Sequence, residues 1–222
     1  MHDREHATAD HAAEPDEYER VFGEQAWDER YRAKPQTWSG NPNPVLVTEV
    51  TDMPPGTALD AGAGEGGDAC WLASRGWRVT GADISAVALQ RAADRANQLG
   101  LEIDWLHIDL TREPAPGKYD LVTAQFLHLP AAPRRVLFSH LAEAVVPGGM
   151  LLVVGHDPSD MHTTIPRPNL ADMGWTADEV AAGLSDAWVI EIAEARSRLA
   201  TDPDGKQVTI HDAVLRARLS TH

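Results

Sequence analysis

Cysteine, basic residues and long apolar runs are all scarce in this chain, and each scarcity removes a class of answer. The 222 residues hold one cysteine, Cys70, which excludes an internal disulfide and a paired-cysteine zinc or redox centre. Only 19 lysines and arginines stand against 34 aspartates and glutamates, a formal net charge of −15. Seven of the acids (Asp3, Glu5, Asp10, Glu14, Asp16, Glu17, Glu19) fall in the first twenty residues beside Arg4 and Arg20, which leaves −10 on the body. An acidic body without a basic run argues against nucleic acid or an anionic membrane surface as partner. The longest apolar stretches, such as Met150–Val154, fall far below the ~20 residues of a membrane span, and the opening MHDREHATADHAAEPDEYER lacks the apolar core of a signal peptide. The expectation is a soluble cytoplasmic protein built on one α/β domain.

Residues 1–17 are polar and aperiodic, which predicts a mobile acidic leader. Its His2, His6 and His11 suggest a solvated tail rather than a metal clip, and no metal is expected. From Glu17 to Trp38 the chain carries Tyr18, Phe22, Trp27, Tyr31 and Trp38, most of a helix plus a loop, and residues 18–44 are expected to cover the body that begins at 45. After a short helix over Val45–Met53, strands and helices alternate. Strands are predicted at Thr57–Asp60, Trp77–Ala82, Leu101–Ile108, Tyr119–Ala124 and Met150–Val154. Helices are predicted at Gly67–Ser74, from a Ser85 cap to a Gly100 stop, and at about Pro133–Val145, ended by Pro147-Gly148-Gly149. Such units build a parallel sheet with helices on both faces. A capping box, Thr176-Ala-Asp-Glu179, opens a helix through Leu184, and Trp188–Arg198 and Lys206–Leu219 should close the chain as an antiparallel hairpin around Thr201–Gly205.

The chemistry gathers at Asp60-Ala-Gly62-Ala-Gly64-Glu-Gly66-Gly67, between a strand and a helix, where glycines let the backbone turn sharply beside a ligand. Gly62, Gly64 and Gly67 also satisfy GxGxxG, so spacing alone leaves a dinucleotide enzyme open. Asp60 is the tie-breaker, because a carboxylate facing the cradle opposes a pyrophosphate and suits an ammonium group. Asp83 closes the second strand where a carboxylate can accept ribose hydroxyls. Asp109 ends the third, in a place suited to an adenine amino group. Acids at the ends of three successive strands describe a pocket for a cationic nucleoside, which S-adenosylmethionine fits.

With ALDAGAGEGG, VTGADIS, HIDL, YDLVTAQFLHLP and VPGGMLLVVGH in order, residues 40–219 resemble a class I S-adenosylmethionine-dependent methyltransferase. WDERYRAKPQTWSGNPNP resembles, more loosely, the corresponding segment of small-molecule methyltransferases of the tellurite-resistance and thiopurine types. The resemblance implies a Rossmann-like, doubly wound, mostly parallel seven-stranded sheet whose last strand runs antiparallel. It also implies Asp60 near the methionine ammonium, Gly62 and Gly64 under the ligand, Asp83 on the ribose and Ile84 against the adenine face. Asp109 would meet the adenine amino group, the Leu110 amide a ring nitrogen, and Gln125 the methionine part through its backbone.

A methyl sulfonium is already activated, so the expected reaction is in-line methyl transfer to a small-molecule acceptor, with a base needed only for a protonated nucleophile. His128 is the first candidate for that base and His156, beside Asp157, the second. His128 could equally be a histidine bonded to a neighbouring loop, and for His156 the stronger reading is structural, since His156-Asp-Pro-Ser-Asp160 also reads as a capped turn leaving a strand. Trp27, Tyr31 and Trp38 are expected at the acceptor and lid, and Cys70 in the core. A non-catalytic binder of S-adenosylmethionine or S-adenosylhomocysteine remains open, as does an NAD-dependent oxidoreductase, which Asp60 and the hairpin disfavour. The acceptor and the oligomeric state are not encoded in any motif.

Overall fold

Strands joined by crossover connections return in the same direction and pair in parallel, and the order in which they pair decides where a ligand can sit. The computed structural model describes residues 17–164 and 173–221. The leader and its three histidines lie outside the described residues, as does most of the 157–175 loop beyond Thr164. Strands β1 (Thr57–Ala61), β2 (Arg78–Asp83), β3 (Asp104–His107), β4 (Tyr119–Gln125), β5 (Val145–His156), β6 (Trp188–Thr201) and β7 (Gln207–Leu219) form one sheet in the order β3-β2-β1-β4-β5-β7-β6. All neighbours pair in parallel except β7, which runs antiparallel to both β5 and β6. The sheet therefore has the predicted strand number and the single reversed strand.

Strand order reverses between β1 and β4, and the carboxyl ends there open a crevice. Apolar side chains pack on both faces. Leu59, Val122, Leu151, Val153 and Leu215 meet one layer of helices, while Ala58, Leu121, Leu152, Val154 and Val214 meet the other. Local signals work as read: Ser85 Oγ accepts from Ala88 N over α5 (Ala86–Leu99), Gly100 ends it at φ +68°, and Thr176 and Glu179 cap each other reciprocally.

Several boundaries differ from expectation, each for a physical reason. Residues 17–38 fold into two helices, α1 (Glu17–Phe22) and α2 (Glu24–Arg32), split at Gly23, where a Cβ would lie 2.6 Å from the Glu19 carbonyl oxygen. Strand β3 is only four residues, because just Thr80 to Asp83 of β2 reach it. The helix predicted over Pro133–Val145 is Ala131–Glu143 (α6), and Val145 already pairs with Tyr119. Pro147-Gly148-Gly149 then falls at a register shift inside β5 rather than before it. The helices after Pro42 and Thr176 stop early, as α3 (Pro44–Val50) and α7 (Ala177–Ala181); α4 (Gly67–Ser74) keeps its predicted span.

Buried Glu49 of α3 ties that helix to the hairpin, accepting from Arg196 at 2.7 Å and Arg216 at 2.9 Å. Burial opposes its ionisation, but the two guanidiniums hold its carboxyl below the usual range. Glu49→Gln should therefore lower the unfolding temperature by about 4–8 °C above pH 5, consistent with ~2 kcal/mol for a partly screened network. The depressed carboxyl makes this contribution fade as pH falls toward 4. An unchanged melting curve at pH 7 would show the network to be incidental.

Candidate active site

A cavity of about 570 Å³ fills the crevice, floored by the ends of β1, β2, β4 and β5 and roofed by residues of α1, α2 and the segment 38–45. At one end lies the glycine loop. Gly62 and Gly64 hold φ of +72° and +53°, and a Cβ on Gly62 would stand 2.3 Å from a methyl of Leu127. Side chains there would be strained and would fill the cradle.

Asp83 Oδ2 accepts from Gly64 N and Oδ1 from Ser85 N, both at 2.8 Å. Burial pushes its carboxyl up, and these amides pull it back. Each oxygen keeps acceptor capacity on the cavity wall. Ile84, Asp109 and Leu110 line the same end. Asp109 spends Oδ1 on the Thr111 amide and hydroxyl (2.9 and 2.6 Å) and meets Arg112 with Oδ2 at 3.1 Å, so only Oδ2 has room for another donor. Gln125 also lines the cavity. Its Nε2 is bonded to Thr123 at 2.6 Å, and its buried Oε1 has no hydrogen-bond partner among the described residues.

Asp60 sits deeper than expected. It is 2% exposed and lies beneath the loop rather than on the cavity wall. The carboxylate on the wall is Asp68, in the first turn of α4, which sequence reasoning missed. Burial raises the Asp68 carboxyl to about 6, against a 2.6 Å bond from Asn43 N. Burial and then the Asp68 charge raise Asp60 well above its ordinary range, and its Oδ2 is buried without a hydrogen-bond partner among the described residues. Two crowded, partly unsatisfied acids fit a site built for a cation.

The roof is stapled down. Glu65 accepts from Thr37 N, Trp38 N and Arg91, and Arg91 also donates to the carbonyls of Tyr31 and Lys34. Asp28 accepts from Ser85 Oγ at 2.6 Å. The Tyr31 hydroxyl accepts from Trp38 Nε1 at 3.0 Å directly over Gly64, and Trp27 lines the cavity beside them.

At the far end, Phe126, at φ +56°, carries a ring cluster. His156 lies 4.6 Å from His128 and 4.7 Å from Phe126, centroid to centroid. His156 Nδ1 is 3.8 Å from Asp212 Oδ1, and Arg198 grips Asp212 through Nε and Nη2 at 2.6 and 3.2 Å. Asp212 and Arg198 were invisible to motif reasoning, because only strand register brings them to His156. Cys70 is buried, as expected.

Residues 58–149 match the methyltransferase domain family. An uncharacterized methyltransferase of Mycobacterium tuberculosis is 34% identical over 155 residues, 68% of this chain and 73% of that protein. The chain belongs to the class I S-adenosylmethionine-dependent methyltransferases. The 2-heptyl-1-hydroxyquinolin-4(1H)-one methyltransferase of Mycobacteroides abscessus is 26% identical over 167 residues, 69% of this methyltransferase and 74% of that one. Among solved structures, the N-methyltransferase NodS of Bradyrhizobium japonicum in complex with S-adenosylhomocysteine superposes with a TM-score of 0.66 at 17% identity, covering 88% of this chain and 97% of that one, which supports the fold. The cofactor of this methyltransferase is S-adenosylmethionine, and among the described residues no helix is long and apolar enough to cross a membrane.

Proposed function

We propose that this methyltransferase transfers the methyl group to a small-molecule acceptor enclosed with the cofactor in this 570 Å³ cavity. Bound S-adenosylmethionine supplies a methyl carbon already activated on a sulfonium. Asp83 and the one spare face of Asp109 would hold its ribose and adenine amino group, with Ile84 and Leu110 beside the base. Asp68, backed by Asp60, would face its ammonium, and Gln125 its methionine part. The observation that carries the reading is continuity: the cavity runs past the acidic cradle to the ring cluster of Phe126, His128 and His156, so an acceptor has room in line with the methyl. A pure binder has no use for that second compartment. The roof and the net charge of −15 favour a small acceptor over nucleic acid, and the hydroxyquinolinone relative acts on a small heterocycle by its name.

Calorimetry with S-adenosylmethionine, S-adenosylhomocysteine and NAD, followed by an acceptor screen that measures S-adenosylhomocysteine release, tests the reading. Tight binding with no release across hydroxyl, thiol and amine acceptors would return it to the non-catalytic alternative.

Residues 18–44 would act as a lid that excludes water, since Tyr31 and Trp38 sit over Gly64. Tryptic cleavage after Arg30 or Arg32 should slow several-fold when cofactor is added. Equal cleavage in both states would reduce the segment to fixed packing.

A further inference from the structure

We infer that His156, oriented by Asp212, is the base that deprotonates the acceptor, and that the acceptor is a small molecule whose attacking atom is a hydroxyl oxygen or thiol sulfur carrying a proton; this rests on the cavity being the methyl-transfer site.

The argument begins with register. His156 ends β5 directly opposite Asp212 of β7, and Asp212 in turn pairs with Arg196 of β6. Arg198 lies two residues on, hence on the same face of β6, and reaches diagonally to Asp212. His156, Asp212 and Arg198 all line the cavity. The Asp212 side chain is 3% exposed, so it is held rather than solvated. Burial acts to raise its carboxyl, yet His156 and Arg198 together keep it below its ordinary value, so it stands opposite the imidazole as a fixed anion.

With Nδ1 3.8 Å from Asp212 Oδ1, an ion-pair distance, the fixed carboxylate favours the protonated imidazole and so stabilises the imidazolium that taking up a proton would create. Stacking on His128 and contact with Phe126 fix the plane of the ring. Among the described residues, the charged and titratable groups about His156 include Asp212 from β7, Arg198 from β6, His128 from the loop after β4, and its own neighbour Asp157, whose carboxylate accepts from Ser159 N. A second histidine–carboxylate pair makes a useful contrast. His211 and Asp160 lie 3.1 Å apart, but neither lines the cavity, and Asp160 also accepts from the His211 amide, which fastens the turn Pro158–His162 to β7.

The step balances without a further reagent. As the acceptor oxygen or sulfur forms its bond to the methyl carbon, its proton passes to the His156 imidazole. The carbon–sulfur bond of the cofactor breaks with its electron pair going to sulfur, and the imidazolium, faced by Asp212, later returns the proton to water. An acceptor that arrives as an anion would have no need of this arrangement.

The test uses the full chain, substituted phenols as protonated probes and the matching arenethiols, which are largely ionised at neutral pH. In His156→Gln, phenol turnover should fall by about 10²-fold or more. The loss on arenethiolates should be at least about tenfold smaller, with the cofactor dissociation constant within about twofold of wild type. Equal losses on both probe sets, or none, would overturn the base. A wild-type protein that binds cofactor but methylates only amines would overturn the acceptor class. Failure of wild type to bind cofactor would instead remove the reading of the site on which the proposal rests. Asp212→Asn separates positioning from packing: imidazole NMR should show His156 titrating at lower pH than in wild type, with kcat for phenols reduced and KM little changed. An unmoved titration would make Asp212 a packing residue only.

Discussion

Replacing Asp83 with alanine is expected to raise the dissociation constant for S-adenosylmethionine by about 10²-fold, at the upper part of the ~1–3 kcal/mol that follows from stranding buried polar partners. Two losses combine. The ribose hydroxyls lose an acceptor, and the amides of Gly64 and Ser85 lose the two oxygens that fix the glycine loop against the start of α5. Asp83→Asn separates them, because its side-chain oxygen can still accept from one amide while its nitrogen can only donate; it should fall between wild type and alanine. Calorimetry gives the affinities, and thermal unfolding of the cofactor-free protein reports how much of the loss is structural. An alanine variant with wild-type affinity would remove Asp83 from the cofactor site and undermine the roles assigned to its neighbours.

What was legible in the sequence and what was not divides along the range of the interaction. The glycine loop, Asp83 and the Ser85 and Thr176 caps are local devices in which a few consecutive residues satisfy one another, so spacing alone reveals them. The ends of β3 and β5 are set instead by neighbouring strands, which is why Pro147-Gly148-Gly149 reads as a stop yet lies within a strand as an irregularity. Asp68 looks like an ordinary acid in a helix first turn. Only the fold, by burying it against Asp60 and under Asn43, makes it part of a cation site. Arg198 and Asp212 meet His156 solely because β7 inserts between β5 and β6. A reader who had placed β7 there could have aligned His156 with Asp212 and found the group. His128 drew attention first because it stands in the loop after β4, but His156 is the ring that the structure sets opposite Asp212.

Asp68→Asn is expected to stabilise the cofactor-free protein while weakening its grip on the cofactor, a pair of opposite effects that a merely structural residue would not produce. In the unfolded chain an aspartate ionises near 3.9, whereas burial lifts the folded Asp68 to about 6. The folded state therefore binds that proton more tightly. The resulting stability is present in full below about pH 4 and is lost as pH rises through about 6. At pH 8 Asp68 is a half-buried anion that also raises Asp60, with Asp83 adding a third charge. The amide removes one of these charges while its oxygen can still accept from Asn43 N, so the melting temperature at pH 8 should rise by several degrees. Cofactor binding has the opposite requirement, because an ammonium selects the ionised carboxylate. Wild-type affinity should be level above about pH 7 and fall by up to about tenfold per unit below 6 as binding becomes coupled to proton release. In Asp68→Asn the affinity should be weaker by about tenfold or more at pH 8, with a flatter profile that retains only the part due to Asp60. Calorimetry in buffers of different ionisation enthalpy counts the proton released at pH 6. If the variant bound cofactor as wild type does at pH 8, or melted at a lower temperature there, Asp68 would be a structural acid and the ammonium would belong to Asp60 alone.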